Sequence, residues 1–436
     1  MGPSSKCTVP FAHNIPQAFA ALIFLYFALH IVLHHTPPLL GDYPAWVYSG
    51  KLLALHLHGI PTPGHVLKHY PVPNSTLTVI IGVLCAVLPW QWAAKTYLLL
   101  HLLTGFGSIR ALQRASQNTA LIWFAVPAAV CFSLMFWYGG TAFQLGVFLT
   151  FFIVAELLRD RSREAMLSML FLLLFFSHMV PFCFACLALM LYARQHKAWK
   201  LLAHLVLPSL LLIAYIVGRL LTGNQDSAAA PTDLHGMVSL ANLAFKANSF
   251  LKSFGWLNLT DLVSSGSYSA AFFGKPIFLF LFAVNLLACG AAFFLFVRLL
   301  CRRPYPLPQA FVLQAMTLCI PVFLVMPRSL LGISDPGARV LQVAAWTALF
   351  LCPSITRAEQ TAWRLQSVGS VTALAVSAVL FAVFPWSVPT RTPAPASTLN
   401  HFGAVPYAYF ERFYTALNQQ HYDVGAYPTG IFIETK

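Results

Sequence analysis

The sequence predicts an all-α polytopic membrane protein whose chain crosses the bilayer in about 11 helices. Its 436 residues are 58% hydrophobic and only 9% charged, with a mean hydropathy of +0.72. Soluble domains carry about 25% charged residues, so nearly all of this chain is expected inside a bilayer. The basic residues fall in short clusters between apolar runs, as they do in the cytoplasmic loops of multi-span proteins.

The N-terminal quarter predicts one span, one interfacial helix and two further helices. Residues 15–33 are apolar over a length that crosses a hydrocarbon core of about 30 Å, and Lys6 before them predicts a cytoplasmic N-terminus. Residues 43–57 mix apolar and polar side chains and precede several prolines, which predicts a helix lying in the interface. Residues 75–110 predict two helices with a turn at 89–92.

The middle of the chain predicts two helices and then a run that is too long for one comfortable span. Residues 119–136 and 146–158 are the two apolar helices. Residues 165–192 are longer than the about 20 residues that a span needs, and Pro181 interrupts them. This run is therefore either one kinked helix or two short helices that meet at His178.

A long polar segment separates the later spans from the earlier ones. Residues 222–275 predict a second large outer loop, which includes the amphipathic sequence LANLAFKANSFLKSFGWL. Spans are predicted around it at 201–221, 276–300, 310–326, 340–352 and 370–384. With the first outer loop, 35–74, these elements form one multi-span domain over 1–384, and residues 385–436 form an extracytoplasmic C-terminal tail.

Two rules conflict over the sidedness of residues 75–192. Basic clusters belong on the cytoplasmic side, and three of them are Arg110/Arg114, Arg159/Arg161/Arg163 and Arg194/Lys197/Lys200. Placing all three there requires an odd number of crossings between 75 and 110 and a hairpin at His178. The simple helix count gives the opposite side for the first two clusters, whereas both routes place 222–275 outside.

The net charge of +14 does not indicate a nucleic-acid-binding protein, because the Arg and Lys residues are spread in short clusters between apolar runs. They predict contact with membrane lipids. The nine cysteines lie in apolar runs without paired spacing, so they are expected to be small core residues. No internal repeat supports an inverted-repeat transporter.

Asp42 carries most of the functional prediction. It is the only carboxylate among the first 155 residues, and it lies just after the first span. A carboxylate beside a bilayer is costly and usually has a function, so we expect a catalytic base here. The alternative is structural, because Asp is a favoured N-cap and Pro44 a favoured first-turn residue. The two roles are compatible.

Several stretches resemble one family of membrane enzymes. A first span leads to an outer loop that opens with an Asp and aromatic residues, and a Tyr-Pro-x-Pro step leads into the next apolar run. The quoted stretches are HYPVPNSTLTVIIGVLCAVLPWQW, FSLMFWYGGTAFQLGVFLTFFIVAELLR, FLLLFFSHMVPFCFACLALMLYARQ and PRSLLGISDPGARVLQ. Over residues 10–350 the chain resembles the GT-C superfamily of glycosyltransferases that use lipid-linked sugars.

The resemblance implies a sugar donor on a polyprenyl phosphate or diphosphate, with inverting transfer to an acceptor hydroxyl outside the membrane. It implies that an Asp in the first outer loop deprotonates the acceptor, and Asp42 occupies that position. The chain departs from the family where Tyr43 replaces a second acid and where a further outer loop offers only Gln144. A two-carboxylate metal site is therefore not predicted, although a divalent cation is left open.

The leaving phosphate needs cations, and two arginines flank the predicted outer loop at 327–339. Arg328 and Arg339 suit phosphate, or else they are interfacial side chains that reach for water. His178 lies at a break in an apolar run, where an ionisable residue is a functional candidate. It is expected to contact a phosphate or sugar, or else to be a satisfied core histidine.

Four weaker substrate-binding candidates come from the first outer loop. Tyr43 and Trp46 could seat a sugar face, with membrane-interface anchoring as the alternative. Lys51 and His69 are further polar candidates. The histidines of this loop do not predict a metal site: those at 56 and 58 do not share a helix face, and prolines interrupt any helix near His69.

The leading prediction is therefore a glycosyltransferase in the bacterial cytoplasmic membrane, with its active site facing outward. A transporter or flippase for a lipid or lipid-linked glycan is the alternative from another class, and a non-catalytic membrane protein is a third. Charges lining a path through the spans would favour transport, but the span interiors are nearly free of them. Asp42, His178 and Arg339 lining one cavity would favour the enzyme.

Overall fold

The computed structural model describes most of the chain, and the described residues are almost entirely helical. These residues are 14–35, 37–38, 40, 42–62, 65–116, 125–137, 139–159, 164–221, 240–254, 275–301, 309–327, 329–330, 333–352, 356–383, 407–420 and 432–434. The predicted all-α class is confirmed. The sheet structure in these residues is limited to two antiparallel pairings of short strands.

The elements follow one another in the order that the apolar runs predict. The earlier helices are α1 (Asn14–Leu33), α2 (Tyr43–Leu57), α3 (Thr76–Val87), α4 (Trp90–Ala115), α5 (Ala125–Cys131), α6 (Leu134–Trp137), α7 (Thr141–Leu158), α8 (Glu164–Ser177) and α9 (Met179–His196). A 3-10 segment, Trp199–Leu205, leads into α10 (Val206–Leu221). The later helices are α11 (Leu240–Phe254), α12 (Lys275–Cys301), α13 (Ala310–Val325), α14 (Pro336–Leu351), α15 (Arg357–Val383) and α16 (Tyr407–Gln419). The strands are β1 (His65–Leu67), β2 (Ser329–Leu330), β3 (Ile333–Ser334) and β4 (Phe432–Glu434).

Apolar helices support an integral membrane protein. Three helical stretches among the described residues are long and apolar enough to cross a bilayer: Thr141–Leu158, Trp199–Gly218 and Leu279–Cys301. Shorter apolar helices are Ala18–Leu33, Thr76–Val87, Glu164–Ser177 and Ala310–Val325. The predicted total of about 11 spans, each of about 20 residues, is not confirmed by these helices and stays a prediction.

The long apolar run around His178 forms two helices. α8 ends at Ser177, His178 has an extended backbone with φ −166°, and α9 begins at Met179. Pro181 falls in the first turn of α9, where its missing N–H has no helical partner to lose. The alternative of two short helices meeting at His178 is therefore confirmed.

The ends of α1 and α4 bear on the conflict over sidedness. Buried Lys95, near the start of α4, donates to the carbonyls of Val32 and His34 at the end of α1. α4 therefore begins where α1 ends. α3 is about 18 Å long, shorter than the about 30 Å core, and α4 is the longer of the two helices. The side of the membrane on which the basic clusters lie stays a prediction.

α2 and α3 make a close backbone contact instead of lying apart. A Cβ atom on Gly50 would lie 2.6 Å from Cγ2 of Ile81, and one on Gly82 would lie 2.7 Å from Cδ2 of Leu53. The two glycines remove the side chains that would hold the helices apart. The prediction of a helix over 43–57 is correct, but this helix is mostly buried in the protein core.

Segments of the C-terminal tail pack on the first outer loop. β4 pairs antiparallel with β1, with Ile433 opposite Val66. α16 packs against α2, and its residues Phe413 and Tyr414 are buried. The described parts of the tail thus pack on the first outer loop, which contains Asp42. The predicted boundary at 384 lies outside the described residues.

α11 comes from the second predicted outer loop and packs mainly on α14 rather than on α2. Lys246 donates to the carbonyls of Phe323 and Met326, at 2.6 Å each, and so satisfies the end of α13. α11 therefore packs on the helix that carries Arg339. The rest of that loop lies outside the described residues.

Candidate active site

Asp42 occupies the N-cap position of α2 without using its carboxylate as a cap. Its carbonyl accepts from the N–H groups of Ala45 and Trp46, at 3.1 and 3.3 Å. Its side chain makes no capping hydrogen bond, and the residue is half-buried. The structural alternative therefore explains the position of Asp42 in the chain but leaves its carboxylate without a capping role.

Gly139 packs directly on the backbone turn that presents Asp42. It has φ +71°, and a Cβ atom there would lie 2.5 Å from the N of Asp42, the O of Leu40 and the N of Tyr43. Neither the backbone angle nor the space allows a side chain. Gly139 is therefore a requirement of the Asp42 turn.

His178 and Arg339 are predicted separately, and the structure brings them together. Nη1 of Arg339 lies 2.9 Å from Nε2 of His178, although the residues are 161 positions apart. The ring of Phe143 packs edge-on against His178 at 5.1 Å and lies beneath the guanidinium of Arg339 at 5.4 Å. His178 is buried, whereas Arg339 is half-buried.

The second contact of His178 bears on its tautomer. The N–H of Val180 donates to Nδ1 at 3.2 Å, which caps the start of α9. A neutral imidazole has one N–H and one acceptor nitrogen, so it accepts either from Val180 through Nδ1 or from Arg339 through Nε2, at 2.9 Å. In the tautomer that accepts from Val180, Nε2–H and the guanidinium are both donors, and an oxyanion placed beside both would accept from each of them.

The first turn of α7 connects Asp42 with this pair. Gly139 touches the Asp42 backbone just before the helix, and Phe143 touches His178 and Arg339. Four helical residues span about 6 Å along the axis. The three residues of the predicted site therefore share one structural support at the same end of α7.

Asp335 holds the start of α14, the helix that carries Arg339. Its carboxylate accepts from Ser249 Oγ at 2.7 Å and from the N–H of Ala338 at 3.2 Å. Its backbone is left-handed, with φ 48°, and its carbonyl accepts from the N–H of Arg339. Burial lowers the pKa of nearby Lys246, and the Asp335 carboxylate opposes that shift.

The predicted sugar contact of Tyr43 is wrong. Its ring is fully buried and stacks on Tyr97, and its hydroxyl donates to the carbonyl of Ala94 at 2.6 Å. Burial raises the pKa of this hydroxyl well above its usual value, with Tyr414 as the second cause. Trp46 is 8% exposed, so almost all of its indole is also in the core. The burial of both side chains results from the packing of α2 on α3 and α16.

The other predicted contacts stay predictions. Lys51 is half-buried on α2, near Cys85 of α3, and about 13 Å along the helix from Asp42. His69 is exposed in a bend after β1. Arg328 lies outside the described residues.

Gln144, which stands where a further acid was considered, has a structural role. Its Nε2 donates to the carbonyls of Val130 and Cys131, and its Oε1 lies 2.8 Å from Nε2 of His101. It therefore satisfies the end of α5 inside the core. In the described part of the chain, no three His, Cys, Asp or Glu side chains are grouped to hold a metal ion.

Sequence reasoning missed Gly139 and Phe143, which join the parts of the site. The WYGG sequence is a turn signal, and it could have marked Gly139 as a position of close backbone approach. Phe143 had no comparable signal, because one aromatic residue in an apolar helix is most often a core residue.

No family model matches this chain, and no curated protein matches it. The crystal structure of ArnT from Cupriavidus metallidurans bound to undecaprenyl phosphate is similar over 93% of this chain and 70% of that chain. The sequence identity is 16% and the TM-score is 0.43. At these values the likeness assigns neither a reaction nor the role of any residue to this chain.

Proposed function

We propose that this protein is a membrane glycosyltransferase that moves a sugar from a polyprenyl-phosphate carrier to an acceptor hydroxyl. The observation that carries the proposal is the 2.9 Å approach of Arg339 to His178, on the helix support that also touches Asp42. It combines a site for an anion with a carboxylate base, the two groups that such a transfer needs.

Arg339 and His178 are the proposed binding groups for the donor phosphate. A guanidinium forms charge-assisted, often bidentate, hydrogen bonds to phosphate oxygens. In the tautomer with its proton on Nε2, His178 adds a neutral N–H donor beside the guanidinium. Arg339 lies in the first turn of α14, where the helix dipole also favours negative charge.

Asp42 is the proposed general base. Its carboxylate takes the proton of the acceptor hydroxyl as the acceptor oxygen forms its bond to the anomeric carbon. The bond from that carbon to the carrier phosphate breaks, and the phosphate oxygen keeps the electron pair. Arg339 and His178 stabilise the charge that develops there. The carrier leaves as polyprenyl phosphate, and Asp42 passes its proton to water.

The basic residues favour an outward-facing site. Ser116 after α4 contacts the carbonyl of Phe350 near the end of α14, and Arg298 near the end of α12 lies 3.9 Å from Glu359 of α15. These contacts gather helix ends that carry basic residues, opposite the ends that hold Asp42 and Asp335. The positive-inside rule assigns the basic end to the cytoplasm.

The proposal is tested with the purified full chain in lipid nanodiscs and a panel of radiolabelled polyprenyl-phosphate sugars. We expect label transfer to an acceptor for one donor class. Arg339→Lys keeps the charge but loses the planar fork, so the donor Kd should rise roughly tenfold. The matched control is Arg194→Lys, an exposed arginine of α9.

Two results would count against the proposal. One is the absence of transfer from every donor in the panel, with intact label crossing the membrane of proteoliposomes instead, as a flippase would produce. The other is an Arg339→Lys protein whose donor Kd equals that of Arg194→Lys.

A further inference from the structure

α16 belongs to the C-terminal tail, yet it packs against the turn that presents Asp42. Phe413, Tyr414 and Leu417 are at most 3% exposed. We propose that Tyr414 is a positioning residue, which acts on the reaction by holding the Asp42 turn. This inference rests on the proposed function, in which Asp42 is the base.

The hydroxyl of Tyr414 holds the chain just before Asp42. It donates to the carbonyl of Pro38 at 3.3 Å, a contact between residues 376 positions apart. The ring of Tyr414 packs on Trp90 at 5.2 Å. Its hydroxyl is also close enough to Tyr43 to affect that hydroxyl electrostatically. Tyr414 therefore contacts the chain before Asp42 and lies near the residue that follows it.

Backbone hydrogen bonds carry this contact onward to Asp42. The N–H of Leu40 donates to Pro38 at 3.1 Å, and the N–H of Tyr43 donates to Leu40 at 2.7 Å. Gly139 closes the opposite side of the same turn. The Asp42 turn is thus held between the start of α7 and the hydroxyl of Tyr414.

The neighbouring contacts of the tail fix the rest of the first outer loop. The ring of Phe413 packs on Tyr48 of α2 at 5.3 Å. β4 pairs with β1 beyond the end of α2, with His65 opposite Glu434. The described parts of the tail therefore contact the loop before Asp42, along α2 and after it, and Tyr414 makes the contact before Asp42.

Tyr414→Phe removes the hydroxyl and keeps the ring, so it tests the hydrogen bond without opening a cavity. We expect hydrogen exchange of the amides of 42–48 to accelerate by roughly two- to tenfold, the range that a net hydrogen bond implies. We expect kcat to fall about tenfold, because small displacements of a reacting group have large effects. The donor Kd should stay within about twofold, since Arg339 and His178 are unchanged.

The matched control is Tyr26→Phe on α1, whose ring packs on Phe27 and His30. Unchanged exchange at 42–48, or a kcat equal to that of the control, would overturn the proposal. A parallel loss of donor affinity, kcat and melting temperature would also overturn it, since that result means general destabilisation. Exchange is read without turnover, so it decides the role of Tyr414 in holding the turn even if the proposed reaction fails.

Discussion

Asp42 and His178 both stand at the start of a helix, but only His178 uses its side chain there. His178 caps α9 through Nδ1 and faces Arg339 through Nε2. Asp42 caps α2 through its carbonyl alone. The carboxylate of Asp42 therefore does not cap α2, whereas the imidazole of His178 contacts both the start of α9 and Arg339.

The two tasks of His178 can be separated by substitution. Asn is a good N-cap, so His178→Asn should keep the stability of the protein and lose the donor that faces Arg339. His178→Ala should lose both, with a melting curve that reflects about 1 kcal/mol from the lost cap. Both variants should bind the polyprenyl-phosphate donor about tenfold more weakly. Wild-type donor affinity in the folded His178→Asn protein would refute the phosphate role.

For single residues, the sequence predicts which side chains are functional candidates better than it predicts which residues they contact. Asp42, His178 and Arg339 can be identified because ionisable residues are rare near apolar runs. The contact between His178 and Arg339 cannot, because it depends on the packing of α9 against α14. Tyr43 and Trp46 are mispredicted for the same reason: a helix with a weak polar face resembles an interfacial helix until its distant partner α16 is known.

The elements of the fold are held together by close approach where glycine allows it. The step before α7 is the clearest case, because Gly139 meets three backbone atoms of the Asp42 turn. Gly59 has nearly the same backbone, with φ +70°, but no atom lies within 4 Å of a Cβ built on it. Substituting each glycine by alanine therefore distinguishes two effects. At Gly59 the change adds only backbone strain, whereas at Gly139 it also displaces the Asp42 turn.

Gly139→Ala should displace the Asp42 turn and reduce sugar transfer by about 10²-fold, as misplacement of a reacting group by about 1 Å does. Gly59→Ala should cost only the left-handed backbone penalty, about 1–2 kcal/mol, with transfer unchanged. The measurement is the transfer rate of each purified variant beside its melting temperature. Equal transfer rates for the two variants would show that Gly139 does not support the site.

The sequence predicts most of the helices, with errors where tertiary contacts decide. The break at His178 follows from Pro181. The turn predicted at 89–92 is shorter, because α3 ends at Val87 and α4 already begins at Trp90. The 43–57 helix has the right bounds but the wrong surroundings, since α3 and α16 cover it. No periodicity within α2 identifies a partner that arrives more than 350 residues later.

Among the described residues, contacts join the Asp42 turn to the start of α7, and His178 at the start of α9 to Arg339 at the start of α14. Lys95, near the start of α4, donates to carbonyls at the end of α1. The sidedness of residues 75–192 stays a prediction, because the basic clusters and the simple helix count disagree over it.

The sequence predicts a C-terminal tail separate from the membrane domain, but the described parts of that tail pack on the first outer loop. Helix α16 packs on α2, and strand β4 pairs with β1, so both contact the first outer loop. Pairing of the last described strand with a loop near the N-terminus is a long-range contact that neither composition nor hydropathy indicates.

The rate of sugar transfer by Asp42→Asn, measured on the purified full chain in nanodiscs, tests the central claim most directly. Asn has nearly the size of Asp, and the side chain of Asp42 makes no capping hydrogen bond, so melting temperature and donor Kd should match the wild type. The transfer rate should fall by roughly 10²–10⁴-fold, the usual contribution of a general base. Glu164→Gln, which removes an exposed carboxylate at the start of α8, should transfer at the wild-type rate. Transfer by Asp42→Asn at the rate of that control would contradict the account.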